Sequence, residues 1–319
     1  CRAEHSDKVA YAGTGSLAIL MDRMVRGDRC KIFYKPFYIR DDFSDERYSP
    51  VFSPTVYPGQ QVSLKLYLDQ WNGNETPGVA PYIRTCSDKK DHLQGFIKLV
   101  QHQWIDVTFT IPDTQGDEVD EVGVVLEGYA PASMKTLGKV YLDEFTIRGK
   151  SAYTIDMAKQ RKNFAAITPF SMDHGAWSMA DGALHLMRNE PSFAYTGNYY
   201  ARDYVCGAAV TPLHGGSHLL LGRAQGAQRF YAAGLGEAGK AVILRNDFGY
   251  TTLAECNFPW EEGREYQLEL RLEGEDIVLS IDGAQVLSVR DTTFDHGMFG
   301  CGSLHMGRTA FRGFSFREL

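Results

Sequence analysis

The sequence predicts an all-β chain made of two antiparallel β-sandwich (jelly-roll) domains in tandem. Three observations predict it. The chain has 319 residues, more than the roughly 150 of one sandwich, and length is a soft guide to domain number. Its 32 Gly, 17 Tyr and 18 Phe suit half-buried pleated surfaces punctuated by turns. Apolar residues recur with period two over short runs, and no helical period of useful length interrupts them.

In chain order, residues 16–20 form a short apolar strand. Residues 61–68 alternate polar and apolar after the turn at Tyr57, Pro58 and Gly59, which buries one face. Residues 104–111, 121–127 and 139–147 repeat the pattern between Pro, Gly or Asp clusters. Five strands in about 130 residues suggest a first sandwich over residues 1–149. The rhythm breaks at Gly149, Lys150 and Ser151 and over the polar stretch Lys159, Gln160, Arg161, Lys162, Asn163. A linker is expected over 150–167, with a short helix or loop at 157–163. The second domain, 150–319, opens on a hairpin over 177–186 turned by Asp181 and Gly182. Strands follow at 207–211, 217–223, 230–234, 241–245, 251–255, 265–272, 276–281, 284–289 and 310–317, and Asp282–Gly283 turns another hairpin.

The net charge is −7 and the basic residues are scattered, which speaks against a nucleic-acid partner. No apolar run reaches the roughly 20 residues of a membrane span, so no membrane partner is expected. The N-terminal residues Cys1 to His5 are too polar for a signal peptide. Six cysteines stand singly, without Cys-x-x-Cys or Cys/His grouping, and read as small core or surface residues. They favour a cytoplasmic setting, with secretion left open by a signal lying upstream.

Two family resemblances carry specific residues. Gly13 to Ile19, Val56 to Leu64, Trp104 to Phe109 and Val140 to Phe145 stand in an order that resembles the galactose-binding-like jelly-roll modules appended to bacterial glycanases. That family's first strand is not seen before Cys1, which implies a start inside a longer polypeptide or a divergent opening. Trp177 to Leu186, Leu220 to Gln225, Phe230 to Leu235, Glu261 to Leu268 and Leu279 to Gly283 look like concanavalin A-like lectin/glucanase sandwiches, through to a terminal strand at Phe311 to Phe316. The tandem, with Thr168 to Ser171 leading into Trp177, also resembles the tail of some bacterial ADP-ribosylglycohydrolase-family proteins. That family's Asp-rich dimetal motifs are not in this chain, so such an activity would belong to an upstream catalytic domain in the same polypeptide. The jelly-roll resemblance further implies one structural Ca²⁺ in the first domain, with Asp143 matching the terminal-strand ligand and the loop around Gly13 supplying carbonyls. A solvated or turn-bonding Asp143 is the competing reading.

Sugar recognition needs aromatic faces for the apolar side of a pyranose and planar amides, carboxylates or guanidinium groups for its hydroxyls. In the first domain Trp71 and Asn74, read as one loop, and Tyr82 with Arg84 on the next strand supply such groups; a structural cap is the alternative. In the second, Arg223, Tyr231 and Arg245 fall on successive strands with Asn246, Asp247 and Tyr250 in the adjoining turn. Arginines inside strands mean either an open groove or an ion pair with a nearby carboxylate. Trp104, Trp177 and Trp260 read as core or edge residues.

No carboxylate pair stands at glycosidase spacing in the sequence. Glu261 and Glu262 are adjacent, and Glu269 and Glu273 flank Arg271 on a polar face, so all read as solvated surface. The six histidines of the second half, among them His174, His218 and His296, read mostly as surface or turn residues. Gly234 to Gly239 matches Gly-x-Gly-x-x-Gly by chance, since it joins two strands. The chain therefore reads as a non-catalytic accessory region that binds a glycan, with two competing readings. One is a glycoside-acting hydrolase in the second sandwich; the other is a structural spacer or dimerisation unit with closed faces.

Overall fold

The computed structural model describes residues 1–36, 56–163, 166–188 and 190–319. They form two compact units. The first contains Cys1–Pro36, Val56–Pro112 and Val119–Gly149. The second contains Lys150–Leu319 and also Asp113–Glu118, a segment that lies in sequence between two strands of the first. No helix among the described residues is long and apolar enough to cross a membrane.

The first unit carries β1 (Arg2–Ser6), β2 (Ser16–Asp22), β3 (Arg29–Tyr34), β4 (Gln61–Trp71), β5 (Gly78–Thr85), β6 (Asp91–Leu93), β7 (Ile97–Lys98), β8 (Trp104–Thr110), β9 (Val119–Glu127) and β10 (Leu137–Arg148). One antiparallel sheet runs β1-β2-β10-β4-β8; the other runs β3-β9-β5-β6, with β7 also on β5. Alternation in β4 sends Val62, Leu64, Leu66 and Leu68 inward, where they meet Val122, Val124 and Leu126 of the facing sheet. A bulge breaks the alternation of β9: Arg84 pairs with Glu121 but Thr85 pairs with Val119, so Asp120 is the extra residue. Val119 and Val122 both stay in the core, and Asp120 and Glu121 share the opposite face. The strand β1 before residue 16 differs from the sequence expectation; all its residues but Ala3 are polar and most are exposed, so no apolar pattern marks it.

The second unit carries β11 (Ala152–Ile155), β12 (Lys162–Asn163), β13 (Ala166–Ile167), β14 (Ser171–Asp173), β15 (Ala176–Ala180), β16 (Ala183–Arg188), β17 (Ser192–Thr196), β18 (Tyr204–His214), β19 (His218–Gly226) and β20 (Arg229–Gly236). It continues with β21 (Lys240–Asp247), β22 (Tyr250–Asn257), β23 (Tyr266–Glu273), β24 (Asp276–Ile281), β25 (Ala284–Arg290), β26 (Met298–Ser303) and β27 (Gly307–Glu318). One sheet runs β15-β16-β27-β18-β23-β24-β25 with β11 added to β27; the other runs β14-β17-β26-β19-β20-β21-β22. All these pairs are antiparallel. The sheets pack so closely that a Cβ on Gly222 would lie 2.5 Å from a Leu272 methyl. Phe299 and Phe316, from opposite sheets, meet at 5.1 Å between ring centroids.

Residues 150–167, expected as a linker, belong to the second sandwich. Tyr153 of β11 stacks on Phe316 at 5.2 Å, and Ser151 donates to the Glu318 carboxylate through its amide at 2.6 Å. A short 3-10 helix, Met157–Lys159, is capped by the Asp156 side chain; residues 164–165 of this stretch lie outside the described residues. Four of the six cysteines, Cys30, Cys86, Cys206 and Cys301, are buried.

Candidate functional site

The two faces of the β14–β22 sheet can be told apart by parity. Leu220, Ala233, Ile243, Phe299 and Cys301 point toward the second sheet. Phe193, Leu219, Leu221, Phe230, Ala232, Leu244 and Met298 form a separate apolar cluster on the outward face. Phe193 on β17 and Phe230 on β20 lie three strand positions apart, yet their ring centroids are 4.6 Å from each other. They lean together over β26, which offers glycine beneath them: a Cβ on Gly302 would lie 2.5 Å from the Phe193 ring. The outward face thus carries an apolar layer whose residues are 0–4% exposed, and a hollow opens beside Phe193.

At its mouth is a depression of about 350 Å³ lined by Asp173, His174, Glu190, Pro191, Phe193, Ala227, Gln228, Asn246, Phe248, Gly249 and Tyr250. The tip of the β21–β22 hairpin is tied down on three sides. Asn246, 3% exposed, accepts the Gly249 amide through Oδ1 at 3.1 Å and donates to the Ala227 carbonyl at 3.5 Å. The Phe248 amide donates to the Gln228 carbonyl at 3.0 Å. Phe248 itself has φ +55°, a left-handed conformation costly for a bulky L-residue, and the residue is 75% exposed. Across the mouth, His174 is fixed by its carbonyl, which accepts the Trp177 indole N–H at 2.7 Å. Its Nδ1 meets the Asp173 carboxylate at 2.6 Å. Burial raises the Tyr195 and Tyr250 hydroxyls above their ordinary pKa, and the charge of Asp173 adds to it, so that carboxylate faces two phenols that stay protonated. Exposed rings beside fixed carboxylate, imidazole and amide groups can stack on a flat apolar ligand face while hydrogen-bonding its hydroxyls.

Of the residues expected at a site, Asn246 and Tyr250 line the depression, and most of the others fall elsewhere. Arg223, Tyr231 and Arg245 are brought together, but in a closed network. Arg223 is 1% exposed; its guanidinium donates to the carbonyls of Arg202, Gly274 and Phe294 at 2.9–3.0 Å and to the Asp203 carboxylate at 3.1 Å. Tyr231 donates to Asp291 at 2.6 Å and accepts the Phe294 amide; burial, then the bond to Asp291, pushes its hydroxyl up to about 12. Arg245 pairs with Asp291 at 2.7 Å. Burial alone would raise the Asp291 carboxyl, but bonds from Tyr231 and Thr293 hold it below its ordinary value. The two arginines take the ion-pair alternative, with Asp203 and Asp291, and Tyr231 shares Asp291; Tyr231 and Arg245 are cross-strand partners, and Arg223 joins them at a positive φ that breaks the alternation of β19. Asp247 is at the rim, paired with Arg229 at 3.3 Å.

In the first unit, Trp71 ends β4 rather than standing in a loop. It is 8% exposed, its indole N–H donates to the Glu75 carbonyl at 2.7 Å, and its ring covers Gly73 and Gly138. No ring face remains for a sugar. Asn74 is exposed in the following turn. Tyr82, 0% exposed, donates to Glu121 at 2.9 Å, and Arg84 donates to Asp120 at 2.8 Å. The β9 bulge supplies both carboxylates, and Lys31 and Lys35 join the network.

Asp143 does lie against the loop carrying Gly13, but that loop turns N–H groups toward it. The Asp143 carboxylate accepts the amides of Tyr11 at 2.7 Å, Ala12 at 3.2 Å and Glu144 at 2.8 Å. Gly13 is exposed, and the nearby Val9 carbonyl takes the Ser16 hydroxyl. Hard cations need several oxygen ligands, and the residues present do not fit one. Among the described residues, no group of three or more His, Cys, Asp or Glu could hold a metal.

Phe248, Asp173 and Glu190 are not among the residues the sequence predicts for a site. The available signal was the run Asn246, Asp247, Phe248, Gly249, Tyr250, in which two aromatics bracket a turn glycine.

No family model matches the chain, and no curated protein does. Among solved structures, it is similar to the carbohydrate-binding module CBM66 from Bacillus subtilis, with 19% identity over 47% of this chain and 95% of that one, at a TM-score of 0.44. It is similar to the exoplasmic/lumenal domain of VIP36 in its Ca²⁺/Man-bound form, with 12% identity over 52% and 89% of the two chains, at a TM-score of 0.42. A third is domain 4 of AbnA, a GH43 extracellular arabinanase from Geobacillus stearothermophilus, solved with arabinotriose: 11% identity, 47% and 82% coverage, TM-score 0.36.

Proposed function

We propose that this chain binds carbohydrate at the mouth of the hollow in its second unit. Phe248 carries the reading. A bulky residue is held in a left-handed conformation, 75% exposed, at a hairpin tip bonded to its neighbour. Such strain costs on the order of 1–3 kcal/mol, and an exposed ring returns little of it to the fold, so a ligand-facing role accounts for it best. The accessory role expected from the sequence is compatible with this reading. A sugar-holding surface raises the effective concentration of its substrate for any catalytic domain joined to it.

The test is a glycan array probed with the full chain and with Phe248→Gly. The wild type is expected to retain a glycan and the variant to lose at least about tenfold in affinity, the equivalent of roughly 1.4 kcal/mol. Thermal unfolding of the same variant is expected at an equal or higher midpoint, because glycine relieves the strain. A wild type that retains no glycan ends the proposal.

A further inference from the structure

A second aromatic surface stands beside the depression, across the β19–β20 turn. Tyr200 is 73% exposed, and it does not stand alone. Tyr199 meets it edge-on at 5.3 Å between ring centroids, and His296 lies nearly parallel to it, at 6.3 Å and 16°. The turn beneath is fixed: the Asn198 side chain accepts the Tyr200 amide at 2.9 Å, and the Gly297 amide donates to the Ala201 carbonyl at 2.9 Å. His296 is braced by the Asp295 carboxylate at 2.6 Å, and its carbonyl accepts the Gln225 side-chain amide at 3.1 Å. Arg202 and Asp295, paired at 2.9 Å and both largely exposed, offer a guanidinium and a carboxylate at the rim.

This surface is continuous with the depression in two ways. Tyr199 packs against the apolar cluster of the outward face. Gln225, which holds His296, and Gln228, which lines the depression, flank one turn only three residues apart, at most about 10 Å.

We infer that Tyr200 is a second stacking position of the same surface. The ligand is a sugar chain lying across the Gly226–Gln228 turn, not a single terminal sugar. This rests on the glycan reading above. Phe248 and Tyr200 then each hold a ring of the chain, and the second contact is made only when the chain is long enough to reach it.

The test is calorimetric titration of the full chain with ladders of cello-, xylo-, manno-, arabino- and fructo-oligosaccharides, monomer to hexamer. For the ladder that binds, affinity is expected to rise about tenfold from the shortest to the longest member. Tyr200→Ala is expected to flatten that rise while leaving affinity for the shortest binding member unchanged; Phe248→Gly weakens every member. A length-independent affinity overturns the inference and leaves the glycan reading standing, as does a rise that survives Tyr200→Ala. Binding to no ladder and no array glycan removes both.

Discussion

His218 shows how far a single side chain can depart from its sequence-level reading. Read as a turn or surface residue, it is 0% exposed, with Nδ1 on the Thr309 hydroxyl at 2.7 Å and its ring edge-on to Trp260. Burial pushes its pKa down to about 4. The unfolded chain takes up the proton near the ordinary 6.5, so stability from the neutral ring is intact above that pH and is lost as pH falls toward 4, about 3 kcal/mol in all. Glu118 works in the opposite sense. Burial raises its carboxyl to about 7, and one oxygen has no hydrogen-bond partner, so its contribution is greatest at low pH and is lost as pH rises from about 4.5 to 7. The two offset each other in the wild type. The prediction is therefore read from variants: between pH 7 and 4.5, His218→Leu should lose less stability than the wild type, and Glu118→Gln should lose more. Denaturant midpoints across that range measure both, and parallel curves would refute the assignments. Arg223→Met is expected to cost about 3 kcal/mol or more by chemical denaturation, because buried carbonyls lose their donor. Nothing in the one-dimensional pattern marks which strand face an arginine takes when a bulge, here at the positive φ of Arg223, resets the alternation.

At the level of strands, β26 sets the shape of the hollow. A Cβ on Gly302 would meet the Ser192 carbonyl at 2.4 Å and the Phe193 ring at 2.5 Å, so Gly302→Val is expected to displace Phe193 from Phe230. Both stability and glycan affinity should fall, by more than the typical 1 kcal/mol of a point substitution; a crystal structure with the Phe193 and Phe230 rings still in contact would contradict this. The strands themselves were largely legible. Residues 61–68, 265–272 and 276–281 alternate cleanly, and the structure has β4, β23 and β24 there. Two features were not. The β9 bulge shows in the sequence only as two adjacent polar residues, Asp120 and Glu121, at the start of an apolar run, and the β14–β17 pairing that brings Asp173 near Tyr250 joins short strands whose partners lie far away in sequence. Period-two reasoning finds strands but not which distant edges meet, and the site is made of such meetings.

Over the whole molecule, composition and strand count conveyed the two all-β units, but not that the second is discontinuous. Asp113 accepts the Thr154 amide at 3.1 Å and hydroxyl at 2.7 Å, and the Gln115 carbonyl accepts the Gln160 side chain at 2.9 Å. Asp113→Ala should weaken the second unit by about 1 kcal/mol. Hydrogen exchange should quicken in Ala152–Ile155 and stay unchanged in Gln61–Trp71; equal quickening in both would count against the division. The same strap bears on how such a protein can be inherited. Genetic exchange that carried only residues 150–319 would leave Thr154 without Asp113 and Gln160 without the Gln115 carbonyl, so the second sandwich would be transferred at a cost to its stability. Selection for its stability therefore acts also on codons embedded in its neighbour.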